Sequence, residues 1–172
     1  MSSHHLVALL LLAFIGPVVD SGAAGKKAED MKTVEKKVTE KDIGMVVSLP
    51  EKTVVGAPVD LKITFQNRRE KDIRILESVI MAANYELQVL DSKGEPVPFS
   101  RFGKQGENIR KAGSSAVVTS LAPGKELEFH LNLARIFDLT LEGDYTLNIR
   151  RDMEGVSLKI EGLPFSIQES SK

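Results

Sequence analysis

Cysteine is absent from the 172-residue chain, so no disulfide, thiolate nucleophile or cysteine-ligated metal can form. Tryptophan is absent too, and aromatic residues make up only 5 % of a chain that is 42 % apolar. The core must therefore be built mainly from Val, Leu and Ile. Histidine is scarce, with only His4, His5 and His130. Charge of one sign is lacking, since 23 Lys and Arg face 24 Asp and Glu for a net charge of -1. Nucleic-acid binders carry a basic excess or stripe, so this balance argues against a nucleic-acid partner. No hydrophobic run reaches bilayer length either. The uninterrupted one, Leu6–Ile15, falls short of the roughly 20 apolar residues a spanning helix needs.

That run does have the length of a signal peptide's apolar region, about 7–15 residues. Gly16-Pro17 would end its helix. The small residues Ser21-Gly22-Ala23-Ala24 then offer cleavage after Ala23 or Ala24. Residues 1–24 are thus expected to be a signal peptide, and the protein to be exported, periplasmic or secreted. No stable membrane span is expected once the signal is removed. The head of the segment carries no Lys or Arg, and a buried N-terminal helix or a retained anchor are the competing readings. Removal would leave His130 as the one histidine of the mature chain.

Residues 25–42, GKKAEDMKTVEKKVTEKD, intersperse lysines with acids. So polar a stretch cannot offset its ordering entropy by burial. The spacings Lys32-Glu35 and Lys36-Glu40 would support a nascent helix slightly. A charged stalk, flexible or partly helical, is the expectation.

From Ile43 onward apolar residues recur at every second position. Val59, Leu61, Ile63 and Phe65 alternate with polar neighbours, as do Tyr85, Leu87 and Val89. Leu127, Phe129, Leu131 and Leu133 form a third such series, and Tyr145, Leu147 and Ile149 a fourth. This is the pattern of half-buried strands. Less regular strands are expected at 43–49, 72–76, 97–99, 116–121, 156–160 and 163–168, with a short helical turn around Leu133–Leu139. Between them lie turn residues: Gly56-Ala57-Pro58, Asn67-Arg68, Pro123-Gly124, Glu142-Gly143 and Glu154-Gly155. Asp91-Ser92-Lys93-Gly94 should close a hairpin with Gly94 at positive φ. The series implies an all-β, immunoglobulin-like antiparallel β-sandwich over residues 43–169, favoured over a barrel because one face of each strand is polar. Tyr145, two residues past Gly143, is either a tyrosine corner bonding back to the backbone or a plain core aromatic.

The segment Val59–Arg151 also resembles a known arrangement, through its Leu121-x-Pro123-Gly124 turn, its Asp138-Leu139 pair and its Gly143-x-Tyr145 strand start. It is similar to the immunoglobulin-like N-terminal lobe of deuterolysin-type metalloproteases and to stand-alone bacterial secreted domains of that kind. Such proteases place H-E-x-x-H on a helix so that two imidazoles meet one zinc. That motif does not occur here. The resemblance therefore implies the lobe without the enzyme.

Hidden chemistry has few places to reside. A Ser-His-Asp triad could use only His130, which sits on the polar side of its strand between Phe129 and Leu131, and no G-x-S-x-G elbow accompanies it. Glu126 and Glu128 share an outer face, where acid–base catalysis would need a cleft. No phosphate loop, dinucleotide fingerprint or EF-hand loop occurs. No catalytic residue, metal or cofactor is expected. The longest irregular stretch, 100–114, reads as a loop whose Arg101, Phe102, Lys104, Arg110 and Lys111 are candidates for partner binding, since loops on a rigid scaffold commonly carry function. A solvated connection is the plainer reading. The expected function is a non-catalytic interaction domain in the cell envelope, binding an unidentified protein there or outside the cell. The alternative is a secreted proteinase inhibitor acting through an exposed loop.

Overall fold

The computed structural model describes residues 32–113 and 116–169; the expected signal peptide and residues 25–31 of the expected stalk lie outside them. The strands are β1 (Thr33–Glu40), β2 (Ile43–Pro50), β3 (Lys52–Val54), β4 (Asp60–Asn67), β5 (Ile73–Ser78), β6 (Glu86–Leu90), β7 (Ala116–Leu121), β8 (Glu126–Asn132), β9 (Gly143–Met153) and β10 (Val156–Gln168). Among the described residues two helices, α1 (Arg101–Ala112) and α2 (Leu133–Ile136), and a 3-10 turn at Met81–Asn84 complete the elements. The protein is all-β in character. One sheet has the order β1-β2-β4-β8, a second β3-β10-β9-β6, and β5 with β7 forms a separate two-stranded ribbon. Neighbours pair antiparallel except β3 with β10.

The alternation read from the sequence decides what is buried. Leu61, Ile63 and Phe65 of β4 are fully buried, as are Ile43, Met45 and Val47 of β2. From the second sheet Val89, Leu147, Leu158 and Leu163 join the same apolar cluster. Burying each such aliphatic chain is worth about 1.5–3 kcal/mol against leaving it in water. One aromatic contact links the sheets, the Phe65 ring stacking at 6.5 Å on Tyr85, which leads into β6, and within its own sheet Phe65 meets Phe129 edge-on at 5.9 Å.

Three expectations are corrected. Residues 33–40, placed in the stalk, form β1, an edge strand in register with β2 from Thr33↔Pro50 to Glu40↔Ile43. The physical reason is that Val34 and Val38 share one side of the strand and pack against the core, while the lysines and glutamates stay in water. Lys41 and Asp42 both take positive φ, 47° and 63°, giving a two-residue turn whose twist matches the hairpin. The 100–114 segment is no loop, because α1 occupies most of it. Finally, 97–99 makes no strand, only the isolated bridge Phe99↔Phe137 near the one at Leu90↔Pro96. Elsewhere the hairpin at Asp91–Gly94 forms with Gly94 at φ 80°, and the Asp91 amide donates to Glu95 O at 2.9 Å. The strands expected at 156–160 and 163–168 are one strand, interrupted by a register shift between Ile160 and Leu163. Lys36 Nζ caps the carbonyls of Glu161 and Gly162 there, at 2.6 Å each.

Candidate functional site

The helix that replaces the expected loop is specified at both ends. Ser100 Oγ accepts from the Gly103 amide at 3.1 Å, an N-cap that satisfies one orphan donor of the first turn. Gly113, at φ 73°, ends the helix in a conformation that glycine adopts without steric cost. In between, Gly103 lies against the Ile136 carbonyl and Gly106 against Ala82. These glycines let the helix backbone approach α2 and the 3-10 turn closely, instead of bending a loop. Glu107 supports the last turn, bonding Arg110 at 2.8 and 2.9 Å and Lys111 at 3.2 Å. The Arg110 bond foremost holds the Glu107 carboxyl below its ordinary pKa.

The five candidate residues are thereby sorted. Phe102 is partly buried against the core, with the Arg135 guanidinium 4.8 Å above its ring. Arg110 and Lys111 are committed to Glu107. Arg101 and Lys104 instead face a groove of about 810 Å³ between α1 and the segment Ser78–Ile80, whose walls include Val79, Ile80, Asn108 and Ile109. Val79 is 89 % exposed. Neither Arg101 nor Lys104 has an ion-pair partner among the described residues. The site is thus an apolar groove with two cations beside it that no described residue pairs.

His130 lies on the outer face, as its parity in the strand requires. Nδ1 meets Asp60 at 3.0 Å and Nε2 meets Glu128 at 2.8 Å, while Lys62 pairs with the other Glu128 oxygen at 2.6 Å. Two carboxylate partners favour the imidazolium, so its pKa is raised, by Glu128 first and then Asp60. With both nitrogens so engaged, neither is positioned to take a proton from a hydroxyl. No cluster of metal-ligating side chains occurs among the described residues.

Sequence reasoning passed over Arg151. It follows Tyr145, Leu147 and Ile149 in the inward series of β9 and is buried, so parity alone would have found it. Its guanidinium donates to the carbonyls of Asn84 and Leu76 and lies 5.3 Å over the Tyr85 ring. Among the described residues Nε has no hydrogen-bond partner, and burial lowers the arginine's pKa. The residue fastens the β5–β7 ribbon to the second sheet. Tyr145 does form a corner, donating from its hydroxyl to Leu141 O at 2.9 Å.

No family model matches the chain, and no curated protein matches it by sequence. Among solved structures, a β-glucosidase from Listeria innocua matches with a TM-score of 0.36 at 11 % identity, over 80 % of this chain and 16 % of that one. The chain thus spans under a fifth of that protein's length. A conserved hypothetical protein from Bacillus anthracis matches with a TM-score of 0.28 at 12 % identity, over 77 % of this chain and 99 % of that one. Likenesses this low carry no argument about fold or function.

Proposed function

We propose that this chain is an exported, non-catalytic interaction module, built as an immunoglobulin-like sandwich, whose α1 groove receives an aliphatic, acidic segment of a partner protein. The observation that carries the reading is the pairing of an open apolar groove with two cations, Arg101 and Lys104, that have no ion-pair partner among the described residues. Apolar walls supply affinity by burial, and unpaired cations select carboxylates at the rim. The sandwich is supported by two four-stranded sheets that share one core and by the Tyr145–Leu141 corner. Export is supported by the run Leu6–Ile15 and by its small-residue exit. The non-catalytic reading rests on His130, whose nitrogens are both held by carboxylates on an open face. An inhibitor would need an extended exposed loop, and residues 101–112 are helical, so that segment does not favour it.

The test is an array of peptides in which Leu, Ile or Val alternate with Glu or Asp, read by fluorescence anisotropy against the purified protein. Binding of the acidic set, not of Lys-substituted counterparts, is expected. It should weaken about tenfold or more in the double variant R101E/K104E, a factor worth about 1.4 kcal/mol. Equal binding of acidic and basic sets, or an unaffected double variant, would reject the groove as the docking site.

A further inference from the structure

A different part of the surface points to self-association. Exposed strand edges invite pairing, and proteins blunt them with charge, proline, bulges, short strands or covering elements. This chain does so nearly everywhere. The edge strand β1 carries Glu35, Lys36, Lys37 and Glu40, and β8 carries Glu126, Glu128 and His130. At β3 the edge is three residues long. Beside β6 runs the segment at Pro96, with the Val97 amide donating to Val89 O at 2.9 Å.

The ribbon β5–β7 has two edges, and among the described residues only the β5 edge is engaged by side chains. On β5 three of the outward groups are taken by side chains: the Arg74 amide by Glu154 at 3.0 Å, the Leu76 carbonyl by Arg151, and the Ser78 amide by Asn84 Oδ1 at 2.6 Å. Because alternate residues of an antiparallel strand face opposite edges, Ile73, Ile75 and Glu77 bond to β7. Their partners there are Leu121, Thr119 and Val117. Val118 and Ser120 therefore turn their N–H and C=O groups outward. Among the described residues no hydrogen bond meets these backbone groups.

This open strand has none of the usual defences. Its sequence, AVVTSL, holds no charge, proline or glycine, and its pairing with β5 runs without a bulge. An uncharged six-residue segment of high β propensity is the type that pairs with copies of itself. Val117 and Val118 are 63 % and 54 % exposed, and Leu76, directly opposite Val118, is 56 % exposed.

We propose that β7 pairs antiparallel with β7 of a second copy of this chain, forming a continuous ribbon β5-β7-β7-β5 across a two-fold axis. A register centred on Val118 sets each outward Val118 against its counterpart and brings Ala116 opposite Ser120. It uses every outward backbone group of the strand. On one face the exposed side chains then align as Leu76, Val118, Val118 and Leu76, an apolar row spanning the axis. No like charges are opposed, because the strand has none. The contact is isologous and closed, so it consumes the edge and stops at two copies.

The lack of cysteine makes the test direct. In V118C the single thiol sits at the axis, where facing Cα atoms about 5.5 Å apart are within disulfide reach. Under mild oxidation V118C should give a covalent dimer, while L141C, at a position where the leucine is 73 % exposed, should cross-link far more slowly. Sedimentation of the unmodified protein at micromolar concentration should show twice the 18.9 kDa chain mass, less any signal removed. V118K, which sets two lysines face to face, should sediment as a folded monomer with an unchanged circular-dichroism spectrum. A monomeric wild-type protein overturns the proposal. So does a dimer that survives V118K, equal cross-linking of V118C and L141C, or open-ended assemblies of growing mass.

Discussion

A methyl group added at Gly103 would lie 2.0 Å from the carbonyl oxygen of Ile136. The neighbour is backbone, fixed in α2, and cannot swing aside. Gly103→Ala should therefore push α1 off its seat and destabilise the fold by about 3 kcal/mol or more, at the upper end of overpacking effects. Three residues on, Gly106→Ala would place its methyl 3.4 Å from Ala82 Cβ, an ordinary contact. There the helix gains up to about 1 kcal/mol of propensity, so the variant should be neutral or more stable. Urea denaturation of the pair checks the docking of α1. Equal effects of the two substitutions would show that the helix does not sit against Ile136 as described.

Asn67 should be the most demanding polar position in the fold. It is 1 % exposed, and its side-chain amide donates to Lys71 O at 2.8 Å and Leu121 O at 2.7 Å. Its Oδ1 accepts from the Arg69 amide at 3.0 Å. One side chain thus shapes the turn after β4 and ties it to the end of β7. Asn67→Leu removes these three bonds and leaves Leu121 O with only its β5 partner, Ile73. A loss of about 2–4 kcal/mol is expected, at about 0.5–1.5 kcal/mol for each hydrogen bond removed. Hydrogen exchange should show the β5–β7 ribbon opening first. An unchanged ribbon with a simple global loss would contradict the pinning role.

How much of this was legible follows from which residues speak through periodicity. The inward series of β4, β6, β8 and β9 is read directly because period two and burial coincide there, and the same parity sets His130 outside. Parity also implied Arg151, but an arginine was not expected to lie inward, and its partners are carbonyls distant in sequence. The helix α1 was missed for another reason. Its inward face is made of Gly103 and Gly106 instead of apolar side chains, so no hydrophobic stripe marks it, although Ser100, Glu107 and Gly113 are all capping and pairing signals. In β1 two valines four apart fit a helix and a strand equally, and only the presence of β2 decides. The groove arises from elements separated in sequence by more than twenty positions, which composition cannot bring together.

At Tyr145 a milder outcome is expected. The ring is buried and stacks on Phe165 at 5.5 Å, and its hydroxyl reaches Leu141 O at 2.9 Å. Burial also raises the hydroxyl's pKa, so the group stays a donor through neutral pH. Tyr145→Phe keeps the packing and removes one hydrogen bond, for about 0.5–1.5 kcal/mol. Tyr145→Ala removes the ring as well and should cost about 3–5 kcal/mol. Denaturant midpoints for the two variants separate the corner bond from the packing, and a Tyr145→Phe variant as stable as the wild type would assign the role to packing alone.

The outer-face network around His130 should make stability depend on pH in a defined direction. Its pKa is raised in the folded protein, so its stabilisation is fully present below the unfolded value, about 6.5, and is lost as pH rises through the folded one. The carboxyl of Glu128 is held low, by Lys62 first and then His130, so its share is present above the ordinary carboxylate range and fades on acidification. The two therefore act together between the carboxylate range and the raised histidine value. The difference in denaturant midpoint between wild type and His130→Gln should be largest at about pH 5–6.5 and shrink in alkaline solution. Since the ring is 52 % exposed, solvent screens the pairs and the difference stays small. A magnetic-resonance titration of the ring is the sharper measurement. Its midpoint should lie above about 6.5 in the wild type and fall in both Asp60→Asn and Glu128→Gln, more in the latter. A midpoint at or below that value, or one indifferent to both substitutions, would mean that the carboxylates do not hold the imidazolium in solution.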